Sequence, residues 1–124
     1  MPIASWIVLA AGLMPYVIVG IAKAGPGYDN ANPRAVDGLQ GRTRKLAYGA
    51  HQNALEAFPF LAAGVLLAIL RGADTYLVNL LAVVWLAARI GYTWAYITDR
   101  PTTRSSFWFI ATLAAIGLYL TALL

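Results

Sequence analysis

The sequence predicts an all-α membrane protein: a bundle of four spanning helices. Three observations carry this. The 124 residues are 60% hydrophobic and 11% charged, with a mean hydropathy of +0.67, whereas soluble domains carry about 25% charged residues. Four apolar windows each approach the roughly 20 residues that a spanning helix needs. The basic residues gather in two of the three loops between those windows. The length suits a single domain running over residues 1–124.

The first window covers residues 3–22. "IAKAG" at residues 21–25 resembles a signal-peptidase site. However, no Lys or Arg precedes Lys23, and the apolar run exceeds the usual core of about 7–15 residues, so the segment reads as a retained span. The loop that follows holds Gly25-Pro26-Gly27 and Asn32-Pro33, which are turn signals. The second and third windows, 46–69 and 76–97, are joined by "RGADT", short enough to require an antiparallel helical hairpin. Between the third and the fourth, 105–124, lies "TDRPTTR", where Pro101 stops one helix and Thr102-Thr103 can cap the next.

Charge sets the direction. Lys23, Arg34, Arg42, Arg44 and Lys45 lie in the first loop, Arg100 and Arg104 in the third, and only Arg71 in the second. Seven cations against one put the first and third loops in the cytoplasm and both termini on the opposite side. No basic run is long enough for nucleic acid. The absence of cysteine removes disulfides, thiolate metal sites and a cysteine nucleophile. No metal-binding constellation, Ser-His-Asp set or phosphate-cradling glycine motif is present.

The chemistry lies in the polar residues of the second and third windows. A charge inside the bilayer costs about 2.5–3.5 kcal/mol and marks a paired or functional site. Glu56 lies eleven residues past Lys45, roughly 16 Å along a helix. Arg89 lies eight residues before Ile97, roughly 12 Å from the same edge. On antiparallel neighbours the two are expected to pair.

Helical angles put Asn53, Glu56 and Phe60 on one face of the second span, with Gln52 at its margin and His51 pointing away. Arg89, Tyr92, Thr93 and Tyr96 share a face of the third. Its opposite face carries Ala87, Gly91 and Ala95, a small-residue ladder suited to close helix packing. These polar groups serve equally as interhelical glue. Trp94 and Trp108 fit an interfacial aromatic belt, Arg100 and Arg104 fit positive-inside anchors, and His51 fits an interfacial hydrogen-bonding residue. Against the bland reading stands convergence: Arg42, Arg44, Lys45, Arg100 and Arg104 end above the polar faces. Together they describe a cleft, cationic at its mouth, for a small anionic ligand that offers an amine to Glu56 and reacts beside something lipid-soluble.

"AHQNALEAFPF" at residues 50–60, preceded by "GRTRK", resembles the second-helix signature of MAPEG proteins, the membrane-associated proteins in eicosanoid and glutathione metabolism. Asn32-Pro33-Arg34, Arg89 with Tyr96, and Arg104-Ser105 at the fourth span follow in the family's order. The resemblance implies a bacterial-type member in the inner membrane, assembled as a homotrimer, with glutathione bound between neighbouring subunits near the cytoplasmic side. By position Asn53 and Glu56 hold its polar backbone, Tyr96 contacts the tripeptide, and Arg104 with Ser105 stabilises the thiolate; Arg89 and Tyr92 line the same cleft. A glutathione transferase or peroxidase acting on hydrophobic electrophiles or lipid hydroperoxides follows. Gln52 stands where glutathione-using members often have arginine, and Trp108 where some have tyrosine. A branch of the family binds lipid without catalysis, which is the alternative. A small multidrug transporter, also of four spans, needs an acid in the first helix, and this one has no charge.

Overall fold

The computed structural model describes residues 2–35, 38–39 and 41–124. It contains four long helices: α1 (Ile3–Lys23), α2 (Arg42–Leu70), α3 (Thr75–Ile97) and α4 (Pro101–Leu123). All four are long and apolar enough to cross a membrane. α2 and α4 each begin four residues before their apolar windows, because a helix continues into the polar interface after hydropathy has fallen. At α4 the expectation of a threonine cap is corrected. Pro101 is the first helical residue, where its missing N–H costs nothing, and Thr102 and Thr103 lie inside the first turn.

The turns follow from backbone chemistry. At the end of α2 the Gly72 N–H donates to the Ile69 carbonyl and the Ala73 N–H to the Ala68 carbonyl, a Schellman motif. Gly72 takes the left-handed conformation this requires, with φ +69. Asp74 then caps α3, its carboxylate accepting from the Leu77 N–H at 3.0 Å. The end of α3 repeats the motif without glycine: Asp99 N–H donates to Tyr96 and Arg100 N–H to Ala95, with Asp99 at φ +60. Aspartate is among the few residues that visit this region routinely. The reversal is therefore completed within Thr98–Arg100, and Arg104 lies in the first turn of α4.

Successive helices run antiparallel. The Ala4 N–H at the start of α1 donates to Asn79 Oδ1 near the start of α3 at 2.9 Å. Arg71 after α2 reaches the Ala122 carbonyl near the end of α4 at 3.3 Å. Both described chain ends thus lie at the end that holds the α2–α3 turn. α1 packs mainly on α2 and α3 mainly on α4; α2 touches both α3 and α4, and α1 touches α3 but not α4.

The core is built from small residues. Ala4, Ala11, Ala68, Ala82, Ala111, Ala114, Ala115 and Ala122 are buried around Leu61, Val65, Val78, Trp85 and Leu118. Large apolar side chains such as Trp6, Leu13, Val17, Leu66, Tyr76 and Leu113 face outward. Lipid is as apolar as leucine, so spanning helices gain their association from close contact, and alanine permits it.

One face assignment is overturned. The expected division of α3 into a small-residue packing side and a separate polar side does not occur. Arg89 and Tyr92 are themselves buried, 2% and 5% exposed, in one stripe with Val78, Ala82, Trp85, Ala88 and Ala95. Ala87 is exposed, while Gly91 faces the Phe107 ring of α4, where an added Cβ would come within 2.6 Å of a ring carbon. Thr93 leaves the polar face and lines an apolar groove against α1 instead.

Candidate functional site

At the loop end of the bundle α2, α3 and α4 diverge around a cavity of about 420 Å³. α2 contributes Gly49, Gln52, Asn53 and Glu56, α3 contributes Tyr92 and Tyr96, and α4 contributes Arg104, Ser105, Trp108 and Phe109. The i, i+3 and i+4 spacings on α2 and α3 bring these side chains to one face each. Six of the seven residues expected at the site, namely Asn53, Glu56, Tyr92, Tyr96, Arg104 and Ser105, meet there.

Arg89 is the seventh, and it lies elsewhere. It lines an inner cavity of about 240 Å³ that continues from the first, with Asn53, Glu56 and Trp108 common to both. Nor does it form the expected ion pair with Glu56. Its Nη2 donates to Asn53 Oδ1 at 2.7 Å, and among the described residues the single salt bridge is Arg42–Asp99 at 3.0 Å. The reason is one of direction. Asn53 faces α3 and is half-buried, whereas Glu56, three residues on, has rotated towards the bundle surface and is exposed. Arg89's guanidinium also sits 4.1 Å from the Tyr92 ring centre, a cation–π contact.

The aromatic pair extends this contact across the site. Tyr92 and Tyr96 meet edge to face at 5.8 Å, and the Arg104 guanidinium lies 4.9 Å from the Tyr96 ring centre. Two tyrosines therefore separate two arginines, one deep and one at the mouth, and fix where Arg104 can sit. Tyr96 is admitted by Gly49: a Cβ there would come 2.5 Å from the Tyr96 hydroxyl and 2.9 Å from the carbon bearing it. Sequence reading missed Gly49. Its signal was a glycine in a helix interior, four residues before Asn53 and on the same face. Trp108, assigned to an aromatic belt, lines both cavities, again as its i, i+4 spacing from Arg104 allows.

The remaining cations do not converge on the cleft as expected. Arg42 pairs with Asp99 in solvent. Arg44 folds back on the end of α1, donating to the Ala22 carbonyl at 3.0 Å, to Gly25 at 3.2 Å and to Pro26. Arg100 stacks over Trp94 at 4.9 Å on the outer surface. Only Arg104 among them lines the cavity. His51 does point away, its Nδ1 at 2.8 Å from the Pro15 carbonyl of α1. No cluster of metal-ligating side chains occurs among the described residues.

A polar cavity with one carboxylate, two amides, two phenols and a cation at its mouth, in a four-span bundle, agrees with the family whose profile matches residues 3–124. The chain belongs to the MAPEG family. The match takes in essentially the whole chain, so every residue of the cavity falls inside the MAPEG region. Comparison with curated proteins found no match. Within this MAPEG bundle the site belongs to α2, α3 and α4, and α1 reaches it at no point.

Proposed function

We propose that the protein is a glutathione-dependent membrane transferase or peroxidase acting on hydrophobic electrophiles or lipid hydroperoxides. One observation carries the reading: Asn53, Glu56, Tyr96, Arg104 and Ser105 line a single cavity in a MAPEG chain. Asn53 and Glu56 take glutathione's polar backbone, Glu56 pairing with its amine. The Arg104 cation and the Ser105 hydroxyl favour the thiolate over the thiol, which makes the nucleophile available near neutral pH. In transfer, the thiolate forms a carbon–sulfur bond and the electrophile's leaving group departs with the electron pair. In peroxide reduction it attacks the terminal oxygen and the O–O bond breaks. An alcohol and a sulfenic derivative result, and a second glutathione converts the latter to the disulfide and water.

A homotrimer in the bacterial inner membrane, with the α1–α2 and α3–α4 loops cytoplasmic, completes the proposal. It is supported by Glu56 and Gln52, which are exposed on apolar helices where a lipid-facing carboxylate is costly. A neighbouring copy covering that face removes the cost. A non-catalytic lipid-binding role is favoured by one separate feature, an apolar groove of about 300 Å³ between α1 and α3.

Titration of the purified protein in detergent with glutathione tests the two together. Binding, a rise in thiolate absorbance and conjugation of a nitroaromatic substrate are expected, with the last two lost in Arg104→Ala at unchanged helicity. Copurified lipid with no glutathione binding would select the alternative.

A further inference from the structure

The side of α3 turned away from the candidate site carries a second, separate opening. α1 packs mainly on α2 and meets α3 only slightly, and the two part around an apolar groove of about 300 Å³. Val17 and Ile21 of α1 wall it together with Ile90, Trp94 and Ile97 of α3. It shares no residue with either cavity of the candidate site. The one hydroxyl in its wall, on Thr93, is spent on the Arg89 carbonyl at 3.0 Å, so the groove suits a purely apolar occupant. Val17, Ile90 and Trp94 are exposed, which leaves the groove open sideways to the surrounding lipid.

A cation stands at its loop end. The turn after α3 bonds the Arg100 N–H to the Ala95 carbonyl at 2.8 Å. The Arg100 side chain returns over the Trp94 ring, 4.9 Å from guanidinium to ring centre. The neighbouring carboxylate does not compete for it. Asp99 is engaged by Arg42 of α2, and Arg100 has no carboxylate partner among the described residues. From Ile90 to Ile97 the groove runs roughly 10 Å along α3, within the roughly 15 Å of hydrocarbon in one leaflet. An acyl chain lying in it therefore brings its headgroup level with the residues just past Ile97, where Arg100 lies.

We infer that the α1–α3 groove binds one anionic glycerophospholipid of the bilayer, with an acyl chain in the groove and the phosphate on Arg100. A phosphate accepts two parallel bonds from a guanidinium, and basic pockets between spanning helices hold anionic headgroups. A choline headgroup brings its own cation beside Arg100, so net charge sets the preference. The lipid is no co-substrate, because groove and cavity lie on different sides of α3. The site stands under either reading of the protein's function.

The test titrates delipidated protein in detergent with phosphatidylglycerol or with phosphatidylcholine of the same chains, read by native mass spectrometry. Retention of one phosphatidylglycerol per chain is expected, bound about tenfold or more tightly than phosphatidylcholine, as a charge-assisted bond predicts. Arg100→Gln should make the two lipids equal. Ile90→Trp fills the groove from an exposed position and should remove phosphatidylglycerol binding with Arg100 intact, which keeps the test open if the arginine variant does not fold. Arg34→Gln deletes an exposed loop cation outside the groove and should leave the preference as in the wild type. Equal binding of the two lipids by the wild type, a preference that survives Arg100→Gln, binding that survives Ile90→Trp, or an equal loss in Arg34→Gln overturns the inference. Oleate binding as tightly as phosphatidylglycerol overturns it too, in favour of a free fatty acid.

Discussion

Replacing Gly49 with alanine should damage the site while sparing the fold. The new Cβ would stand 2.5 Å from the Tyr96 hydroxyl oxygen and 2.9 and 3.1 Å from two ring carbons. Ordinary contact begins near 3.4 Å, so the ring must retreat by most of an ångström. The contact involves the ring as well as its tip, so rotation of the hydroxyl cannot relieve it. Tyr96 carries the Arg104 guanidinium at 4.9 Å, and the displacement passes to the cation expected to hold the thiolate. A misplacement of about 1 Å at a reacting centre costs on the order of 10²-fold in rate. Stability moves little, because alanine gains up to about 1 kcal/mol over glycine in a helix interior, offsetting part of the strain. The assay is glutathione conjugation beside thermal unfolding in the same detergent. Conjugation is expected to fall between about tenfold and a hundredfold with the melting temperature nearly unchanged. Unaltered turnover would refute the claim that Gly49 positions Tyr96, and a large drop in melting temperature would make the contact structural instead.

Five further outcomes follow from other contacts in the bundle. Asn53→Ala removes the acceptor of Arg89's bond at 2.7 Å and should destabilise the bundle by about 1–3 kcal/mol, measured by thermal unfolding. Replacing both partners together, Asn53→Leu with Arg89→Met, should recover much of that loss, because an apolar pair leaves no buried donor behind; a double variant less stable than Asn53→Ala contradicts this. Gly91→Ala brings a Cβ to 2.6 Å from the Phe107 ring and should cost about 1–3 kcal/mol by forcing α3 from α4, again read as a lowered melting temperature. Arg42→Ala breaks a solvent-exposed pair with Asp99 and is expected to leave both melting temperature and glutathione turnover unchanged, whereas Arg44→Ala frees the end of α1 and should speed proteolysis of the first loop.

What the sequence determined by itself was the set of helices and which polar residues share a helix face. Hydropathy and helical period depend on residues a turn apart, so the four spans, the hairpin at "RGADT" and the shared face of Asn53 and Glu56 were legible before any packing was known. So was His51, whose angle alone separated it from the other polar residues of "AHQNALEAFPF".

The tertiary structure decided the pairings. Whether Arg89 meets Asn53 or Glu56 depends on how α2 is rotated against α3, and Arg89 meets Asn53. The same rotation buries Arg89 and Tyr92 in the packing stripe instead of opposite it. Gly49 acquires its meaning only when Tyr96 arrives from another helix, and four of the five basic residues near the rim divide among an ion pair, a helix-end cap, a stacking contact and one place in the cavity. Spacing along a chain fixes which face a residue occupies. Which neighbour that face meets is set by the angles between helices, and these depend on small-residue contacts that no single helix contains.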